Sequence, residues 1–443
     1  MGGACIVTAP HRVHVVSTHA VVIAWLAAAA LLVVHQLLEP FTAGSHMGLF
    51  TNGGDLDVYR HGGQQLLDGR ALYDTELPGG GWFTYPPFAG IVFIPIALMS
   101  FPAAQVIWMA ISLTALAMTI WRCATVLGYR PDLRLGLLTI ALSLAAVDIE
   151  AVRGTLWQGQ INLVLMSMIV WDLTRPPSAR LRGWSVGIAA GIKLTAVVFI
   201  PFLFFTRQWR AGFTALGAAL TTAALTWCVL PTDSATYWLH AVFQTDRIGP
   251  LTHPGNFSIG GVLSTLTAPA PMPTMWWMIA IGAAAILGFV AAQRAQQFGH
   301  PLLAITLIGM LSCTVPPLAW GHHWVWTVPL LAILVDRAVR STGPARAGWA
   351  AGALAVYLAV FMWFAAWLYR TSHQLSAGYG TYIEALDAAI ATMTKPDKLL
   401  VVSTNPTLFI VTALVTVAFV HRRPNPTRLP GDIGDPEVSH VAG

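Results

Sequence analysis

Val21-Val22-Ile23-Ala24-Trp25-Leu26-Ala27-Ala28-Ala29-Ala30-Leu31-Leu32-Val33-Val34-His35-Gln36-Leu37-Leu38 decides the fold class. The run contains no Asp, Glu, Lys or Arg. A helix needs roughly 20 mostly apolar residues to cross about 30 Å of hydrocarbon, and this run supplies nearly all of them. Further apolar runs centre on Ile94, Leu113, Ile140, Leu165, Ala196, Leu220, Ile281, Ile308, Leu330, Val356 and Val415. Together they predict an all-α, polytopic transmembrane protein with about twelve spans, some of them short. A membrane barrel would instead show ten-residue segments of alternating polarity.

Composition agrees. Of 443 residues, 56% are hydrophobic and 10% charged, against about 25% charged in soluble domains. Mean hydropathy is +0.65. A net charge of +5 is small for this length, and its location says more than its sign; membrane, and no nucleic acid, is the expected partner. Cys5, Cys123, Cys228 and Cys313 are scattered, without metal-site or disulfide spacing. The first span lacks a small-residue cleavage site and reads as an anchor. Cys5 follows no apolar stretch, which argues against a lipoprotein cysteine.

Basic residues mark the cytoplasmic side. Arg207, Arg210, Arg294, Arg337, Arg340, Arg346, Arg422 and Arg423 place a cytoplasmic N-terminus (1–18) and a disordered cytoplasmic tail (424–443) around one transmembrane domain (19–423). The loops 39–84, 231–274 and 371–404 then face outward. Arg122, Arg130, Arg134, Arg175, Arg180 and Arg182 do not fit a twelve-span count. The short runs near Ile140 and Leu165 are therefore read as half-spans or re-entrant pieces, which are tolerated where they line a cavity.

Within this apolar chain a few polar residues stand out. Gly53-Gly54-Asp55-Leu56-Asp57-Val58-Tyr59-Arg60 follows the first span. Asp55 or Asp57 can act as a general base toward a hydroxyl; equally, Asp55 can cap a surface helix starting near Val58. Lys193 sits in an apolar span at an insertion cost of about 2.5–3.5 kcal/mol. It needs an anionic partner such as a lipid phosphate, unless it snorkels or pairs with Asp148 or Glu150. His322 and His323 begin a span between tryptophans, as phosphate or sugar ligands or as part of an interfacial aromatic belt. Gln158, Gln160 and Asn162 lie in a polar run that suits sugar or phosphate binding, or simply satisfies backbone at a helix break. Asn256-Phe257-Ser258 matches a glycosylation sequon and is open to a substrate-loop role.

Taken in order, Gly54-Asp55-Leu56-Asp57-Val58-Tyr59, Leu72-Tyr73, Phe83-Thr84-Tyr85-Pro86-Pro87, Gln158-Gly159-Gln160-Ile161-Asn162, Gly191-Ile192-Lys193-Leu194-Thr195, Asn256-Phe257-Ser258 and His322-His323 resemble glycosyltransferase family 87 of the GT-C superfamily. The resemblance runs from about residue 53 to about residue 330. It implies loop helices on the periplasmic face of the plasma membrane. It also implies transfer of mannose from polyprenyl-phosphate-mannose to a mannosylated phosphatidylinositol or lipoglycan acceptor, with α-1,2 linkage and inversion. Asp55 matches the family's base and Asp57 is second choice. Lys193, His322, His323, Gln158, Gln160, Asn162, Tyr59, Tyr85 and Asn256 become candidates for donor phosphate or substrate. No cofactor is implied, although Asp55-Leu56-Asp57 leaves a divalent ion open. The competing readings are an arabinofuranosyltransferase of the same superfamily, a flippase for lipid-linked sugars, and a scaffold subunit.

Overall fold

The structure is a computed structural model that describes residues 14–38, 48–76, 81–378 and 382–420. Cys5, the N-terminal segment to residue 13, the basic group at 421–428 and the 424–443 tail lie outside the described residues.

The chain runs through α1 (Thr18–Leu38), α2 (Gly54–Leu67), α3 (Pro87–Ala97), α4 (Phe101–Val126), α5 (Leu133–Ala145), α6 (Glu150–Gln158), α7 (Asn162–Leu173), α8 (Trp184–Ile192), α9 (Phe199–Phe205) and α10 (Trp209–Val229). It continues through α11 (Pro231–Leu239), α12 (Ile259–Thr267), α13 (Thr274–Gln297), α14 (Pro301–Thr314), α15 (Thr327–Arg340), α16 (Gly343–Ala359), α17 (Trp363–Leu375), α18 (Tyr382–Ala391) and α19 (Lys395–Phe419). Among the described residues there is no strand beyond isolated bridges, so the all-α expectation holds. Starts are marked chemically. Asp132 accepts from Leu135 N ahead of α5, and Thr394 and Asp397 form a capping box at α19.

Five helices, α1, α4, α10, α13 and α19, are long and apolar enough to cross a membrane. The expected twelve are not reached by this criterion. The helices around Ile94, Leu165 and Ile308 and the segment Leu194–Phe205 are apolar but only 10–17 residues long.

The bundle has two distinct ends. At one, His14 N donates to Gly128 O at 3.0 Å, Arg340 to the Leu127 carbonyl, and Arg122 to Thr174 O at 2.9 Å. Arg182 bridges Leu173 O and Gln208 Oε1, both at 2.6 Å. This end is basic. At the other end the three long loops meet. Asp233 accepts from Leu72 N at 2.8 Å, Arg247 donates to Tyr73 O at 2.9 Å, and Lys395 donates to Leu266 O at 2.7 Å.

Two expected spans begin and finish at the same end. α3 packs on α2 and leads to Met99, whose carbonyl accepts from Arg60 at 2.8 Å. The segment α8–α9 is a hairpin whose two feet are joined by Arg182 and Gln208. Its ascending arm lies against α10 through Gly183, Gly187 and Gly191, where an added Cβ would come within 2.2–2.4 Å of Ala211, Ala215 and Thr222. Such small-residue rows let helix backbones approach closely in a membrane. Gly191 meets Thr222, thirteen residues along α10 from Trp209, so the apex lies about 20 Å from the basic end at 1.5 Å per residue. Lys193 occupies that apex in extended backbone. The chain thus turns back on itself around Lys193 and Ala196, while the runs near Ile140 and Leu165 form the short helices α5 and α7. Without α3 and the hairpin in the count, Arg122, Arg130, Arg175 and Arg182 join Arg207 and Arg340 at one end. That resolves the charge misfit.

Candidate active site

Asp55 enters the site from the first turn of α2. Its capping role is not realised: the N-cap is Gly53, and no side chain caps this helix. Gly53 adopts φ +120° and Gly54 N is satisfied by Asn52 Oδ1 at 2.9 Å. The Asp55 carboxyl instead lines a cavity, close enough to Gln160 and Lys193 for both to act on its ionisation. Burial raises its pKa above the ordinary value, while Gln160 and the Lys193 charge pull it back down. Asp57 points elsewhere. It pairs with Arg60 at 3.2 Å and His61 at 3.3 Å, with 37% of its side chain exposed.

Gln160 is the hub beneath Asp55. Its Oε1 accepts from Tyr59 Oη at 2.8 Å and from Lys193 Nζ at 3.1 Å. Its Nε2 donates to Tyr85 Oη at 3.2 Å. Lys193 Nζ also donates to Asn162 Oδ1 at 2.8 Å and stands 5.6 Å over the Tyr85 ring. Lys193 thus does not snorkel, and its contacts are amides. Asp148 is taken by His35 Nδ1 at 2.6 Å, so the expected alternative pair with Lys193 does not form. Tyr59 is fully buried and supports Gln160. Tyr85 is 8% exposed and does the same.

The backbone breaks that hold these side chains have local causes. α6 ends at Gly159, left-handed at φ +71°, where a Cβ would come 2.6 Å from Leu56 Cβ. That tight approach seats the end of α6 on α2. Asn162 Nδ2 donates to His322 O at 2.7 Å and Thr155 Oγ1 to the same carbonyl at 3.1 Å. The histidine turn is thereby fixed to α6 and α7.

A cavity of about 340 Å³ opens beside Asp55. Gln158, His322, Glu150, His253, Trp320 and Tyr369 are among its lining residues. The expected histidine pair divides: His322 faces this cavity, whereas His323 lines a neighbouring space of about 30 Å³ with Asn162 and Cys313. Burial, then the charge of Lys193, drives both imidazoles well below their ordinary pKa, so at neutral pH they are uncharged. They can hydrogen-bond but offer no positive charge. Gln158 lines the cavity while accepting from Asn52 Nδ2 at 3.3 Å.

Asn256 corrects the sequence reading. It is fully buried, donating to Leu251 O and Pro317 O at 3.0 Å each. It accepts from Ser258 Oγ at 2.8 Å and Ala319 N at 3.0 Å. It is a bracket for the 250–320 loop pair, with nothing left for a sugar or an attached glycan. Conversely, Glu150 and His253 line the cavity without having been singled out for it. Glu150 stood in the polar run 148–162, and its carboxylate signal was visible; His253 carried none.

Residues 83–317 match glycosyltransferase family 87. The chain belongs to that family. It is 32% identical to a polyprenol-phosphate-mannose-dependent alpha-(1-2)-phosphatidylinositol mannoside mannosyltransferase of Mycolicibacterium smegmatis, over 70% of this chain and 74% of the relative. It is 31% identical to a protein of the same name from Mycobacterium tuberculosis, over 63% and 69%. Identity is also 31% to an M. smegmatis alpha-(1-2)-phosphatidylinositol pentamannoside mannosyltransferase, over 70% and 75%. No solved structure matches the chain.

The family 87 match takes in Tyr85, Gln158, Gln160, Asn162 and Lys193. Asp55, His322 and His323 fall outside its limits and are joined to it by the folding described above. No group of three or more His, Cys, Asp or Glu residues with metal-holding geometry occurs among the described residues.

Proposed function

We propose that this protein transfers mannose from polyprenyl-phosphate-mannose to a phosphatidylinositol mannoside, forming an α-1,2 linkage with inversion, with Asp55 as base. The observation that carries the reading is the shared hub. Gln160 accepts from the Lys193 ammonium at 3.1 Å, and both Gln160 and the Lys193 charge act on the Asp55 carboxyl at the cavity wall. The names of the relatives favour mannose over arabinofuranose.

Chemically, the acceptor oxygen attacks the anomeric carbon and its proton passes to Asp55. The bond from that carbon to the phosphate oxygen breaks, and the electron pair leaves with polyprenyl phosphate. Lys193 holds the phosphate, with Asn162 and Gln160 orienting the ammonium. The leaving oxygen gains charge as the bond breaks, so the attraction grows toward the transition state. Polyprenyl phosphate is a stable leaving group, so the scheme calls on neither a general acid nor a metal.

Ten helices, α1, α4, α5, α7, α10, α13, α14, α15, α16 and α19, cross the plasma membrane in this reading. The cavity faces outward and the arginine-rich end is cytoplasmic, as the positive-inside rule requires. α5, α7, α14 and α15 are short because their outer ends stop at the cavity, the one place where irregular backbone is tolerated at membrane depth. The test is direct. Purified protein given polyprenyl-phosphate-mannose and a phosphatidylinositol mannoside should release polyprenyl phosphate and extend the acceptor by one α-1,2-mannose. Movement of intact donor across vesicles without bond cleavage would favour a flippase and sink the proposal.

A further inference from the structure

The cavity at Asp55 has a side chamber of about 220 Å³ between α15, α16, α17 and α19. Thr327, Phe361, Trp363, Val401, Thr404 and Asn405 are among the residues around it. Glu150, Phe257 and Phe364 line both spaces and stand between them. The two phenylalanine rings meet edge to face with centroids 6.2 Å apart. Glu150 N donates to Val360 O at 2.8 Å and Met362 N to Asp148 O at 3.2 Å, which ties α6 to the start of α17.

Two polar groups face this space without a protein partner among the described residues. Asn405 Oδ1 is buried and accepts no hydrogen bond. The Glu150 carboxyl has no recorded hydrogen bond or ion pair; burial alone pushes it up to about 8. At neutral pH it is an uncharged acid that both donates and accepts. The titratable groups lining the main cavity with it are Asp55 from α2, His253, His322 and Tyr369. Buried polar groups are ordinarily paired, so the open Asn405 Oδ1, with the half-buried Glu150 carboxyl on the same lining, marks a place for a polar ligand. An acyl chain would leave both unpaired. A ring bearing several hydroxyls would satisfy both. At about 220 Å³ the chamber is smaller than a whole small-molecule site of roughly 300–1,000 Å³, which suits one ring of a larger ligand.

We propose that the side chamber is a second sugar subsite, which takes the acceptor ring next to the one being mannosylated and binds its hydroxyls through Glu150 and Asn405. This rests on the mannosyl-transfer reading above. On that basis the enzyme discriminates acceptors by their second ring, through residues remote from the donor phosphate.

The experiment compares octyl mannoside with octyl dimannoside as acceptors for the purified full chain, using polyprenyl-phosphate-mannose as donor. Wild-type protein should show a higher kcat/KM for the two-ring acceptor. Glu150→Ala and Asn405→Val should each lower kcat/KM for the two-ring acceptor by roughly tenfold more than for the one-ring acceptor. The loss should lie mainly in acceptor KM, and donor KM should hold. Glu150→Gln, which still donates and accepts, should keep most of the preference. The subsite is overturned if wild-type protein shows no two-ring preference, or if Glu150→Ala and Glu150→Gln depress both acceptors equally. It is also overturned if Asn405→Val abolishes a dependence on alkyl-chain length instead, which would make the chamber an acyl site. Asp55→Asn is the companion variant. If it transfers normally, the proposed reaction is wrong and the subsite falls with it; if it is inactive while the two-ring preference is absent, only the subsite falls.

Discussion

Lys193 Nζ donates to Asn162 Oδ1 at 2.8 Å, and Asn162 Nδ2 donates in turn to the His322 carbonyl at 2.7 Å. One amide therefore ties the apex of the α8–α9 hairpin to the histidine turn that walls the cavity. The ammonium at that apex is met by two amide oxygens and the Asp55 charge, and the proposed reaction adds a donor phosphate to them.

Removing the ammonium tests this. Lys193→Ala should lower kcat and not merely raise donor KM, because the interaction strengthens as the phosphate leaves. Lys193→Arg should recover part of the rate, since it keeps the charge but not the geometry set by Asn162 and Gln160. Steady-state kinetics with varied donor would show this, and an Ala variant with normal turnover would end the phosphate role.

The two carboxylates of α2 should behave differently. Asp55→Asn should cost about a hundredfold or more in turnover, with the variant folded. Asp57→Asn, which loses only an exposed pairing with Arg60 and His61, should stay near wild type. The reverse pattern would reassign the base.

Proton linkage gives a third expectation. The Glu150 carboxyl sits near 8 in the folded protein and near 4.3 when unfolded. Between those values the folded chain holds the extra proton, so this group's contribution to stability falls as pH rises from about 4.3 to 8. Glu150→Gln removes that term. Thermal unfolding should show the variant gaining on wild type as pH is raised from 5 to 8; parallel curves would mean the carboxyl is not buried as described.

Asn256→Ala should destabilise the protein by about 2–4 kcal/mol, because two carbonyls, a hydroxyl and a backbone N–H lose partners. The melting temperature should drop while the donor KM of the surviving fraction stays unchanged. A changed donor KM with normal stability would return Asn256 to the substrate site.

Topology is testable with single cysteines in a background free of native ones. Arg130→Cys and Arg180→Cys should react with an impermeant thiol reagent only from the cytoplasmic side, and Glu76→Cys only from outside. Opposite labelling of the two arginine positions would contradict a ten-crossing bundle.

The sequence by itself determined the class of the protein and the identity of its charges. Membrane helices are legible because lipid forces every backbone group to be satisfied within the segment, so length and apolarity suffice. A buried Lys193 and an aspartate loop are conspicuous for the same reason: in an oily chain each charge costs free energy. Path and partners were decided only by the tertiary structure. An apolar run reads the same whether it crosses, as α10 does, or folds back, as α8–α9 does. The difference lies in Arg182 reaching Gln208 and in Gly187 and Gly191 lying against α10. Asn256 and Gln160 look alike as polar residues near a helix break. One is saturated by its own loops and the other gathers Tyr59, Tyr85 and Lys193 next to Asp55, a distinction that exists only once segments distant in sequence pack together. Glu150 shows the same limit, since the cavities it lines are walled by Phe257 and Phe364, about a hundred and two hundred residues away.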